Sequence, residues 1–514
     1  MKLALQRAVL KGGRAMLGDE GLARLAARLG REPGLSLDGA TPWLLEHAPQ
    51  ASVVPAAQFV PAALASQYDG LDPNRLIPGE DVPSVHSFVP YYRGSTNLLV
   101  YNFFRMNYGI RDPVLYRYAV YAGRRLHWCH QFLLGPDRVA WIPDPCTQAQ
   151  LPQNGTVVLQ AFHPRIATPS RQLRYFVLYR KAGVVSGTHS LQFDPLTLAR
   201  RTQPSYRAFG EPGASYGYHV TGAERMELSA AGANGLGALR ASVPVPIPGY
   251  ITRESAEGAP LAIWHDGPTP HYLRPAATPQ RIGASYTGFF IPDFARHAPR
   301  LLLSTSQIGF LPRRVTLRAR AEDGRELALR TVELPHDDAT VDVADVLPGL
   351  AGPVNVIVEF DRDIGEFGAM PTGYIHIYYR GPQGASDQVH SHHTLGVRDD
   401  PFRRPRPYRC RKFAPYVANA GLEFTYSIVN LGIGGRPVHD DSVRVRIFTE
   451  GGAETVRSWR LSPSGFTTIR AAELGIEDTA AVVQFEHETT NFNGSWYAID
   501  RHSGHLAADH FTGG

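Results

Sequence analysis

The sequence predicts an all-β protein, a tandem array of antiparallel β-sandwich modules of about 100 residues each behind a short helical N-terminal segment. Three observations predict it. Gly at 50 and Pro at 41 in 514 residues are high for a helical chain; with 23 Tyr and 23 Phe they favour strands joined by turns. Runs of period-two alternation fill the chain after its first sixth. A set of landmarks also recurs three times in one order and at nearly constant spacing.

Taken in order, residues 1–84 come first. Leu3, Leu5, Val9, Leu10, Leu22, Leu25 and Leu29 recur at helical spacing, with Gly12, Gly13 and Gly18 marking a break, so two short amphipathic helices are expected. Their basic face suits a membrane surface, a partner subunit or the protein's own body. Residues 33–83, rich in proline and alanine, read as an extended arm.

Module 1 is placed at 85–194, module 3 at 288–398 and module 4 at 413–514. Each opens on an aromatic-x-proline step: Phe88-Val89-Pro90, Phe290-Ile291-Pro292 and Phe413-Ala414-Pro415. An apolar strand follows (98–103, 301–306, 422–430), then an alternating strand. In modules 3 and 4 that strand turns through Asp323-Gly324 and Gly451-Gly452, both hairpin signals. The next strands end at Phe162, Phe360 and Phe485, which lie 72, 68 and 70 residues after the prolines. An aromatic-rich strand, a glycine turn and a histidine close each module. Gly183 to His189, Gly384 to His390 and Gly504 to His510 each span six residues.

The first two prolines stand 202 residues apart, so a degenerate module 2 is expected at 195–287. It would open at Phe193-Asp194-Pro195 and close through Tyr272-Leu273-Arg274. Counting on from Arg274 reaches Ala284, so this module is expected to lack the histidine. The segment 399–412 is the basic linker. The repeat texture loosely resembles sandwich modules of bacterial surface and stalk proteins, although no motif identifies a family.

Composition excludes several classes. A net charge of +5 on a chain this long gives no support to nucleic-acid binding. Three cysteines, Cys129, Cys146 and Cys410, are too few and scattered for a disulfide framework or zinc knuckle. No apolar run reaches the roughly 18 residues of a membrane span, and the broken apolar stretch at the N-terminus does not read as a secretory signal. A cytoplasmic location is the corresponding expectation. There is no HExxH, Walker loop or dinucleotide fingerprint. Gly213-Ala214-Ser215-Tyr216-Gly217 fits the G-x-S-x-G pattern without the strand and helix that a nucleophile elbow requires.

The chemical signal is histidine. His189, His390 and His510 hold equivalent places, and His392, His393, His502 and His505 crowd the same turns. If His189, His390 and His510 converge, three imidazoles would hold one divalent transition metal (Zn, Fe or Cu), with His392 as a further ligand and Asp387 or Asp509 orienting the rings. If they do not, each ties its own final hairpin. Tyr179, Tyr379, Trp496 and Tyr497 on the closing strands would offer rings to a glycan if one sheet face were open. Two functions follow: a multidomain binding or accessory protein whose ligand is glycan or a protein partner, or a metal-dependent enzyme built on the histidines.

Overall fold

The computed structural model describes 53–54 and most of 84–513. The main segments outside that description are 164–172, 191–208, 220–225, 229–236, 239–248, 267–281, 304–313, 361–374, 391–393, 398–409 and 430–441. At 264–266 and 384–390 the backbone alone is described. The helices expected in 1–30, the arm apart from Val53–Val54, the Phe193 step, Tyr272-Leu273-Arg274 and all but the end of the basic linker therefore lie outside the described residues.

The chain is mostly antiparallel β-sheet in several small sheets. The first stretch holds β1 (Val53–Val54), β2 (Ser84–Tyr92), β3 (Thr96–Tyr101), β4 (Val114–Ala122), β5 (Arg125–Leu134), β6 (Val139–Ile142), β7 (Asn154–Phe162), β8 (Tyr175–Lys181) and β9 (Val184–His189). The second holds β10 (Phe209–Gly210), β11 (Ser215–His219), β12 (Met226–Leu228), β13 (Gly237–Ala238), β14 (Gly249–Glu254) and β15 (Pro260–Asp266). In the third are β16 (Ile282–Ile291), α1 (Phe294–His297), β17 (Arg300–Leu303), β18 (Arg314–Arg320), β19 (Glu326–Glu333), β20 (Ala339–Asp342), α2 (Val343–Val346), β21 (Val354–Phe360), β22 (Ile375–Gly381), β23 (Gly384–His390) and β24 (Thr394–Val397). The fourth has β25 (Cys410–Val417), β26 (Leu422–Val429), β27 (Ser442–Thr449), β28 (Glu454–Arg460), β29 (Phe466–Arg470), β30 (Ala480–His487), β31 (Asn493–Asp500), β32 (Leu506–His510) and β33 (Thr512–Gly513).

Strand order repeats. The third stretch forms sheets β19-β18-β21-β16-β24 and β20-β17-β22-β23. Every label advanced by nine gives the two sheets of the fourth stretch. In the first, β5-β4-β7-β2 and β6-β3-β8-β9 have the same order, with β1 added outside β5. Within each pair of sheets the inward residues share one core, as Ile291, Leu301, Val315, Val354, Ile377 and Tyr379 do, which is a β-sandwich-like arrangement. The hairpins turn where glycine tolerates a left-handed backbone, at Gly324 (φ 89°) between β18 and β19 and Gly452 (φ 79°) between β27 and β28.

The second stretch shows the four-stranded sheet complete, β12-β11-β14-β15, and only the pair β10-β13 beside it among the described residues. Its closing hairpin is therefore β14–β15, upstream of the Tyr272 segment. The turn between them is long, with Ser255 N–H donating to Ala259 O, and the register shifts at Arg253/Glu254. Counting at the offsets of the other stretches slides past it.

The stretches join in a closed cycle. Tyr216, Tyr218, Tyr250, Ile251 and Ile263 of the second enter the core of the first. Tyr497, Leu506 and Ala508 of the fourth enter the core of the third. The fourth also returns to the first, where Leu99, Tyr101, Phe103 and Phe176 pack on Phe413, Phe448, Ala480 and Val482. Inside the cycle the closing strands touch in sequence: β9 packs on β15, β15 on β23, β23 on β32, and β32 on β9. Among the described residues no helix is long and apolar enough to cross a membrane.

Candidate metal centre

The centre is built where β9 and β32 end. Alternation along β9 sends Val185, Gly187 and His189 toward the fourth stretch. Val185 lies in that stretch's core, and a Cβ on Gly187 would stand 2.2 Å from Trp496 Cη2. Ser186 faces the other way and donates to Pro260 O of the second stretch at 2.9 Å. β32 alternates likewise: Ala507 joins the core shared with Val185, whereas Leu506 and Ala508 enter the core of the third stretch. Glycine and alanine at these positions let the inner strands approach closely.

That approach brings together residues 320 apart in sequence. His189 Nδ1 lies 2.6 Å from Asp509 Oδ2, and the His189 and His510 rings stand 4.5 Å apart at 71°. One ligand atom from each of His189, Asp509 and His510 falls within 4.8 Å of the others. All three are withdrawn from solvent, with side-chain exposures of 15% for His189, 5% for Asp509 and 9% for His510.

The hydrogen bonds assign roles. Asp509 Oδ1 accepts the His510 N–H at 2.7 Å, while Oδ2 faces His189 Nδ1, so both carboxylate oxygens are engaged. His510 Nδ1 lies 2.8 Å from Phe511 O. A carbonyl oxygen only accepts, so that Nδ1 carries the proton and Nε2 keeps its lone pair. Donation from His189 Nδ1 to the Asp509 carboxylate fixes the same tautomer there. Two imidazoles oriented through Nδ1, one by a carboxylate and one by a carbonyl, have the arrangement that supports metal-ligating histidines. Burial pushes the Asp509 carboxyl up to about 6, opposed by His510, whose charge when protonated and whose backbone N–H favour the anion.

A strap beside the centre fixes the two hairpins. Arg180 Nη2 donates to Asp500 Oδ2 at 3.0 Å, and Ser503 Oγ donates to Gly183 O. Burial of Asp500 opposes ionisation, but the Ser503 and His502 N–H groups and Arg180 outweigh it and hold the carboxyl below its ordinary range.

Of the predicted metal ligands, His189 and His510 meet. His390 ends β23, in register with His376, and its side chain lies outside the description, as does all of His392. The reading that Asp509 orients an imidazole agrees with its hydrogen bonds. The four aromatic candidates are core residues, at 1% exposure for Tyr179 and 0% for Tyr379, Trp496 and Tyr497. Tyr179 Oη donates to Pro90 O and Tyr379 Oη to Phe290 O, each at 2.8 Å, so these rings clip the closing strand to the aromatic-x-proline step. No ring face among the four is left open for a sugar. Ser215 begins strand β11, with no elbow around it. Cys129 and Cys146 are free thiols, and burial pushes Cys129 up to about 11.

Two features escape sequence reading. His265 stands near the end of β15, in register with Tyr250, much as His189 faces Phe176 and His510 faces Ser495. The second is a buried polar knot at the joint between the first and second stretches. There Tyr92 Oη lies 2.8 Å from His219 Nε2 and 2.7 Å from both Thr252 Oγ1 and Glu254 Oε1.

No family model matches the chain, and no curated protein does. Among solved structures, a tetra-tandem repeat in the extending region of a large adhesion protein aligns over 84% of this chain and 95% of its own, at 9% identity and a TM-score of 0.09. Escherichia coli alpha-2-macroglobulin activated by porcine elastase aligns over 83% and 43%, at 9% identity and a TM-score of 0.08. At such TM-scores neither likeness bears on fold or function.

Proposed function

We propose that the chain is a metal-binding accessory protein: four sandwich units of about 100 residues, the second reduced, arranged in a ring that a divalent transition ion ties shut. His189 and His510 would ligate the ion through Nε2, with Asp509 orienting His189. The observation that carries this reading is the pair of imidazoles 4.5 Å apart, each tied at Nδ1 to an acceptor. Imidazole donors suit Zn, Fe or Cu over Mg or Ca. The low exposure of the site favours an ion that staples strands over one that meets a substrate, so the accessory reading is preferred to the metalloenzyme.

Elemental mass spectrometry of the purified full chain tests it. About one equivalent of metal is expected, lost when His189 and His510 are both changed to Ala. Asp509→Asn keeps an acceptor for His189 but removes the charge, and should weaken retention by about 10- to 100-fold. Absence of metal from the native protein, even after incubation with Zn(II) or Cu(II), would reduce the cluster to an imidazole–carboxylate clasp and overturn the proposal.

A further inference from the structure

The interior of the first stretch is filled differently from those of the third and fourth. On β18 the inward side chains are Val315, Leu317 and Ala319, and on β27 they are Val443, Val445 and Ile447, all buried aliphatics. β4, which holds the same place in the first stretch, turns Tyr116, Tyr118 and Val120 inward. Its neighbour β5 sets Phe132, His130 and Trp128 opposite them in register. The rings form one continuous group. Tyr116 stacks on Phe132 at 5.3 Å, Phe132 on His130 and His130 on Trp128 both at 5.9 Å, and Trp128 stands edge-on to Tyr118 at 5.1 Å.

Three polar atoms of this group have no hydrogen-bond partner among the described residues: Tyr116 Oη, Tyr118 Oη and Trp128 Nε1. Both tyrosines are fully buried, and Trp128 is 6% exposed. Other phenols of the same interior are partnered. Tyr91 Oη donates to Asp144 Oδ1, Tyr175 Oη to Ser87 O and Tyr179 Oη to Pro90 O. Burial holds the Tyr116 and Tyr118 phenols well above their ordinary range, so both remain O–H groups, and an indole nitrogen only donates. Three donors left dry would forfeit the hydrogen bonds that water gives them in the unfolded chain, a loss the aliphatic interiors of the third and fourth stretches avoid.

We propose that the interior of the first stretch is a binding site for a small neutral molecule with oxygen acceptors, held by the Tyr116 and Tyr118 hydroxyls and the Trp128 N–H. It stands independently of the metal-binding reading above. Charge is disfavoured in either sign. An anion would add to the negative charge of Asp144, which acts on Tyr118 together with Tyr91 and Tyr175 and already opposes its ionisation. A cation would find both Asp144 oxygens engaged, Oδ1 by Tyr91 and Oδ2 by the Ser95 and Thr96 N–H groups. Enclosed water and a small organic alcohol share the chemistry that remains.

Tyr116→Phe and Tyr118→Phe each remove one oxygen and keep the ring. Each variant of the full chain should unfold at lower denaturant than the native protein, by a shift like that of Tyr179→Phe, which breaks a bond to a carbonyl in the same interior. Midpoints at or above the native one would mean that the hydroxyls are dry, and would overturn the proposal. Two further measurements identify the molecule. An organic guest should add mass to the native chain in native mass spectrometry, leave on unfolding, and be lost from Tyr116→Phe/Tyr118→Phe. Enclosed water should instead register by oxygen-17 relaxation dispersion, with fewer long-lived internal waters in that double variant than in the native chain. Neither a released guest nor a lost internal water would equally overturn the site.

Discussion

At the scale of single residues, one contact made by an inner strand shows how little room the joint between first and fourth stretches leaves. Gly187 has no Cβ where one would stand 2.2 Å from Trp496 Cη2 and 3.1 Å from Cζ3, and Trp496 is fully buried. An indole packed this way cannot swing aside without opening the core around Phe424, on which it stacks. Gly187→Ala should therefore destabilise the protein by about 1–3 kcal/mol through overpacking, with the strand ending at His189 displaced from Asp509. Trp496→Phe removes the crowded atoms, so the double variant should recover part of the loss, and a double-mutant cycle by chemical denaturation would read the coupling. Additive losses would mean that the two side chains do not meet in solution. Sequence alone could not have located this pair, since residues so far apart in the chain share no spacing rule.

Elements carry the part of the design that was legible. Turn glycines, aromatic-x-proline steps and closing strands are local and repeated, so their spacing survives as pattern: Tyr179 and Tyr379 each clip a backbone carbonyl 89 residues earlier. Alternation failed where it is blind. It cannot tell that the smaller sheets are covered on both faces, so that adjacent Trp496 and Tyr497 are both buried. It also missed His265, because the long turn at Ser255–Ala259 and the bulge at Arg253/Glu254 break the offset that locates the other histidines. The short helix α1 joins third to fourth stretch by a titratable contact. His297, the last residue of the turn that Asp293 caps by accepting the Ala295 N–H, sits 2% exposed with Nε2 2.9 Å from Gly504 O. Burial lowers its pKa; the Gly504 carbonyl and Asp293 act the other way, and Arg296 adds to the lowering. A histidine with a lowered folded pKa contributes fully above its unfolded value, about 6.5, and that contribution is lost as pH falls from there through the folded value. His297→Gln keeps an amide donor for Gly504 and cannot titrate. Denaturation midpoints measured above and below pH ~6.5 should therefore fall less steeply with acid in the variant than in the native chain. Equal slopes would place the native acid sensitivity elsewhere.

For the whole molecule the deciding feature is that the chain closes on itself. An open row of sandwiches has two free ends and loses stability member by member, each unit depending only on its neighbours. Here the last stretch packs on the first through a core of its own. Tyr101 lies 5.0 Å from Phe448 and 5.8 Å from Phe413, Phe103 lies 5.3 Å from Phe413, and Trp141 N–H donates to Glu450 at 3.0 Å. The inner strands then have neighbours on both sides, and a site between β9 and β32 exists only while the cycle is shut. Phe448→Ala attacks that closure without touching any inner strand. Truncating a buried phenylalanine costs about 3–5 kcal/mol, and in a closed cycle the loss should be felt on both sides of the joint. Hydrogen exchange read by mass spectrometry should therefore quicken in β3 and β6 of the first stretch as well as in β27 and β30 of the fourth. The strands β18 and β21, in the core of the third stretch and away from the joint, should change least. Metal retention should weaken in the same variant although every histidine is intact, because His189 and His510 come from the two stretches that the joint holds together. Faster exchange confined to the fourth stretch, with metal retention unaltered, would mean that the stretches behave as independent members of a row, and the argument from closure would fail with it.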